Sequence, residues 1–84
     1  MQARPLNYSI FREKSYRFHF FSMEEERMHV HVSTPGGKAK FWMEPEISLA
    51  LSNGVPTHEL TKMEKIVKEH KDEIERAWRD HFKN

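Results

Sequence analysis

The hydrophobic period of this chain changes once, at Asn53-Gly54. Before that break, aromatic and β-branched residues alternate with polar ones in short runs, and after it apolar residues recur at three and four. A period of two places successive side chains on opposite faces of a strand, and a period near 3.6 makes a stripe on a helix. Strands followed by helix, without further alternation, imply an α+β fold. The expectation is a four- or five-stranded, mainly antiparallel meander with one long C-terminal helix packed on one face. With 84 residues the chain makes one domain, residues 1–84, with strands over about 6–51 and helix over about 58–82.

The strands are read as Leu6 to Arg12, Tyr16 to Ser22, Met28 to Ser33 and Lys38 to Met43. Glu13 to Ser15 make the first turn, and Met23 to Arg27 form a loop carrying Glu24, Glu25 and Glu26. Thr34-Pro35-Gly36-Gly37 is the strongest turn signal, since proline presets one φ and the glycines can adopt positive φ. Pro45 bends the chain into residues 46–51, which fit either a fifth short strand or a first helical turn and are read as strand. Thr57 is the expected helix N-cap, and Thr61-x-x-Glu64 offers a second register. Leu60, Met63, Val67, His70, Ile74, Trp78 and His81 form the apolar stripe. Glu64 with Lys68, Asp72 with Arg76 and Glu75 with Arg79 have helpful i, i+4 spacing. His70 and His81 read most simply as core or rim residues. A helix of about 25 residues would be roughly 37 Å long, enough to overhang so small a sheet.

Register follows from burial, because a one-residue slip moves every side chain to the other face. Facing the helix are Phe18 and Phe20, Val30 and Val32, and Ala39 and Phe41. Phe18 then pairs with Val32, and Val32 with Ala39. His19 falls opposite His31, His31 opposite Lys40, and His29 opposite both Phe21 and Trp42. The outer face collects Arg17, His19, Phe21, His29, His31, Ser33, Lys38, Lys40 and Trp42, with no carboxylate among them. The net charge is only +1, from 14 basic and 13 acidic side chains, so any basic surface must arise by segregation.

Four chemistries fit that face. Arg17, Lys38 and Lys40 can meet phosphates while Phe21 and Trp42 stack on unpaired RNA or DNA bases. The same residue types suit a protein partner. His19, His29 and His31 could supply acid and base for a metal-independent ribonuclease, with Lys40 stabilising developing charge, or three nitrogen ligands for zinc. Zinc is disfavoured by the lack of an orienting carboxylate and by Arg17 and Lys40 nearby. No cofactor is expected. The absence of cysteine excludes disulfides, thiol nucleophiles and thiolate metal sites. No phosphate loop, nucleophile elbow or H-E-x-x-H motif is present. No run is apolar enough to span a membrane and Met1 to Leu6 does not read as a signal peptide, so a cytoplasmic location is expected.

Glu13 to Phe18, Arg27 to Val32, Ala39 to Trp42 and Glu44-Pro45, with Ala77-Trp78 in the tail, resemble the small prokaryotic domain-of-unknown-function family DUF4160. The resemblance covers nearly the whole chain, and His29-Val30-His31-Val32 is its most recognisable element. Many members carry prolines just before the first histidine, where this chain has Arg27 and Met28. The resemblance implies a bacterial module that meets a small partner protein in a toxin–antitoxin-like or regulatory complex. It directs attention to His29 and His31 without assigning them a role. The expected function is a non-enzymatic binding module, with the small ribonuclease and the zinc-binding domain as alternatives.

Overall fold

The computed structural model describes residues 7–21 and 27–82. These form β1 (Asn7–Glu13), β2 (Tyr16–Phe21), β3 (His29–Ser33), β4 (Lys38–Trp42), β5 (Ser48–Asn53), α1 (Thr57–Glu69) and α2 (Lys71–Phe82). The five strands make one antiparallel sheet in sequential order. The α+β class therefore stands as the period change implies. The segment after Pro45 is a strand, two residues later than 46–51. Leu6 and the Glu24 to Glu26 run lie outside the described residues.

The inward positions of the strands are apolar, and they meet the helical stripe. Phe18, Phe20, Val30, Val32, Ala39 and Phe41 share one buried cluster with Met63, Ile66, Val67, Ile74 and Trp78. Removing each of the Phe, Val, Ile and Met side chains from water contributes roughly 1.5–3 kcal/mol, so this cluster is the main stabilising term. Ring contacts connect the sheet with the helical segment. Phe20 meets Trp78 edge-on at 5.3 Å, Phe11 stacks on His70 at 4.1 Å, and Tyr8 stacks on His81 at 4.7 Å. Tyr16 donates its hydroxyl hydrogen to Glu59.

The expected single long helix is instead two. The ladder is interrupted at His70, whose φ and ψ are −106° and 21°. Neither Gly nor Pro marks the break. His70 instead leaves the stripe to bridge two acids: Nδ1 is 2.7 Å from Glu73 Oε1 and Nε2 is 3.1 Å from Glu13 Oε1. Thr57 is the first helical residue rather than the N-cap. That position is Pro56, which makes no side-chain cap bond, and its carbonyl accepts from Glu59 and Leu60 at 3.0 and 3.1 Å. Thr61 donates to the Thr57 carbonyl at 3.2 Å instead of opening a capping box. The Glu64–Lys68 pair closes at 3.0 Å, and Glu75 meets Lys71 at 2.9 Å.

Two turns need comment. Lys14, in the tight β1–β2 turn, takes φ 58°, a left-handed conformation unusual for a residue with a Cβ. In the β3–β4 turn, Thr34 Oγ1 accepts from the amides of Gly36 and Gly37 at 3.2 and 3.0 Å. Neither of those glycines uses the positive φ expected of it; Gly54 does, at 73°. Gly37 is required for another reason. A Cβ there would lie 2.4 Å from the Asn53 carbonyl oxygen, at the end of β5.

Candidate functional site

The hairpin registers align the outward residues in rows that cross the whole sheet. One row runs Arg12, Arg17, Ser33, Lys38 and Asn53 from β1 to β5. The next runs Ser9, His19, His31, Lys40 and Leu51. A third places His29 opposite Trp42 and Ser48. The alignment of His19, His31 and Lys40, and of His29 with Trp42, is the one burial dictates. A bulge in β5 beside the Lys40–Phe41 step re-phases that edge strand so that Leu51 joins these rows, and a second bulge lies in β1 between Ser9 and Phe11.

The face is not the open basic surface expected. His19 is 2% exposed, His29 1% and Lys40 8%. Aromatic neighbours account for much of this. His19 lies between Phe21 at 5.2 Å and His31 at 5.6 Å, and Phe21 also meets His31 at 4.6 Å. His29 belongs to the core as much as to the face. Its ring is 5.2 Å from Trp78 on α2, 5.0 Å from His31 and 5.8 Å from Trp42. Its Nδ1 bonds the Arg27 carbonyl at 2.8 Å. Trp42 is not a free stacking platform either. The Arg27 guanidinium stands 4.0 Å, and the Lys40 ammonium 4.5 Å, from its ring centroid. Arg27 Nε also donates to the Glu44 carbonyl at 3.0 Å, and Glu44 Oε2 accepts from the Met28 amide at 3.1 Å.

Two hollows remain. One, of about 240 Å³, is floored by His19, His31 and Lys40 and bordered by Phe21, Lys38 and Leu51. Phe21 and Leu51 are 40% and 52% exposed, so its rim is apolar. The other, about 250 Å³, lies among Arg12, Ser15, Arg17, Ser33, Thr34 and Pro35. Ser33 borders both. Arg12 and Leu51 are the members that sequence reasoning missed. The tight turn at Lys14-Ser15 puts Arg12 opposite Arg17, which hairpin counting could have found. Leu51 depends on the β5 bulge, which no residue pattern announces.

Burial sets the electrostatics. It pushes His19 down to about 4, with the Arg17 charge acting the same way. It pushes His31 down to about 3, helped by His29, His19, Lys40 and Lys38. Both imidazoles are therefore neutral at pH 7, and neither is the protonated acid that a two-histidine cleavage of RNA needs. His19 Nε2 sits 2.7 Å from Ser33 Oγ, while Nδ1 is buried with no hydrogen-bond partner. Among the described residues, no group of three or more His, Cys, Asp or Glu side chains is placed to hold a metal ion. His70, by contrast, rises above its usual value through its Glu73 hydrogen bond; partial burial opposes this and Glu13 reinforces it.

No helix among the described residues is long and apolar enough to cross a membrane. No curated protein and no solved structure matches the chain. The model of one family, described as a domain of unknown function, matches residues 15–79, a span from the start of β2 through most of α2 that includes the histidine row. The chain belongs to the DUF4160 family.

Proposed function

We propose that this chain is a non-enzymatic binding module whose outer sheet face receives a small partner protein, in a toxin–antitoxin-like or regulatory complex. The observation that carries this reading is the hollow framed by Phe21 and Leu51. Its rim is apolar and exposed, its floor is neutral imidazole, and its cations are Lys38 and Lys40, with no carboxylate in the lining. Exposed aromatic and aliphatic side chains around a shaped hollow are what protein anchors use. The fitting partner element carries an aliphatic side chain for the hollow and a carboxylate for Lys38. Burial of His19 and His29 favours recognition over catalysis.

The test is co-expression with the product of the adjacent gene, followed by titration of the purified pair. The expected outcome is a stable complex in which amides of Phe21, His31, Lys40 and Leu51 shift together. A Phe21→Ser, Leu51→Ser double variant should bind at least about tenfold more weakly, as loss of central apolar anchors does. A complex unaffected by that double variant would place the interface elsewhere and end this reading.

A further inference from the structure

The second hollow carries a different chemistry. Arg12 and Arg17 are directly opposed across the β1–β2 pair, and Ser33 follows in the same row. Like charges facing each other across a pair are destabilising unless something compensates. No ion pair to either guanidinium exists among the described residues, and no carboxylate lines the cleft. Its other lining groups include the hydroxyls of Ser15 and Thr34. The Thr34 hydroxyl is already committed to its own turn. The Ser33 hydroxyl instead meets His19 Nε2 at 2.7 Å.

The hydrogen on Ser33 can be assigned from its partner. A neutral imidazole carries one N–H. If His19 held it on Nδ1, a buried donor would be left without an acceptor, and orphaned N–H groups are rarer than orphaned acceptors. The hydrogen therefore sits on Nε2 and is donated to Ser33 Oγ at 2.7 Å. Ser33 accepts from the histidine and keeps its own hydrogen to donate. The row thus brings two arginines and one hydroxyl donor to the lining of a cleft of about 250 Å³, room for an oxyanion and several waters at about 30 Å³ per water.

We propose that the cleft formed by Arg12, Arg17 and Ser33 binds a phosphate group. Guanidinium forks match phosphate oxygens two at a time, which a simple point charge does not. The site lies beside the Phe21–Leu51 hollow and does not depend on a protein partner occupying it. The phosphate could belong to a free monoester or to a nucleic-acid backbone; the chemistry is shared, and experiment separates the sources.

The experiment is an amide NMR titration of the full chain at pH 7 with two probes. One is inorganic phosphate, with chloride holding ionic strength constant; the other is a short single-stranded RNA at matched phosphate concentration. Saturable shifts at Arg12, Ser15, Arg17 and Ser33 are expected. Arg12→Gln and Arg17→Gln should each weaken binding by about tenfold or more, and Arg17→Lys should fall between, since it keeps the charge and loses the fork. Ser33→Ala should weaken it by a smaller factor. These arginines lie outside the buried core, and Arg17→Lys serves as the folded control should a glutamine variant lose dispersion. RNA saturating the same amides at lower phosphate concentration, with affinity falling as salt rises, identifies a backbone ligand. Equal or better binding of inorganic phosphate identifies a free phosphate group rather than a nucleic-acid backbone. Absence of saturable shifts with both probes, or shifts unchanged in the Arg12→Gln, Arg17→Gln double variant, would falsify the proposal.

Discussion

Protonating His19 means placing a charge in a site that is 2% exposed and already faces Arg17. Its folded pKa of about 4 lies below the ordinary 6.5, so the unfolded chain takes up the proton first. Stability from this group is complete above pH 6.5 and is lost as pH falls toward 4. The loss reaches about 2 kcal/mol at pH 5, and His31 acts in the same direction. That is a large share of what a domain this small commands. Denaturant unfolding followed by tryptophan fluorescence should show a steep acid limb between pH 6.5 and 4. His19→Gln should flatten that limb while lowering stability at pH 7, because it removes the titrating ring and some packing. An acid limb identical to the wild type would mean that another group controls acid unfolding.

Among the elements, the junction of α1 and α2 behaves oppositely. His70 holds Glu13 of β1 with one nitrogen and Glu73 of α2 with the other, and its folded pKa is raised. Its contribution is complete below pH 6.5 and disappears as pH rises through the raised value. Glu13→Gln should bring the His70 titration, followed through its ring protons, back toward the ordinary range without unfolding the domain. An unmoved titration would show that Glu73 alone sets it. The register of β2, β3 and β4 is legible in the sequence, because Phe18, Val32, Ala39 and Phe41 allow only one pairing that buries them together. So is the existence of helix after Asn53. The interruption at His70 is not legible, since histidine at that position also fits a continuous stripe. What marks it is contact with Phe11 and Glu13, more than fifty residues earlier. The burial of His19, His29 and Lys40 is hidden for a similar reason. Alternation assigns a face to each residue, but the covering rings of Phe21, Trp42 and Trp78 come from three separate elements.

Across the whole molecule, the outer face has two hollows that share Ser33, one rimmed by apolar side chains and one by guanidiniums. Any occupant of one adjoins the other, so the two binding tests should be run on the same labelled sample. The β3–β4 turn beside them packs closely against the end of β5 at Gly37 and Gly54. Gly37→Ala should destabilise the domain by more than 1 kcal/mol or so, as a forced backbone shift does, whereas Gly36→Ala should be close to neutral. Equal effects in thermal melts would contradict the close approach at Gly37. The unequal glycines also have a practical use. A side chain added at Gly36 meets nothing within 4 Å, and the chain has no cysteine of its own. Gly36→Cys would thus install a single addressable thiol one residue from Pro35 in the wall of the arginine-lined hollow, and a fluorophore there could report on an arriving ligand without disturbing the backbone beneath it.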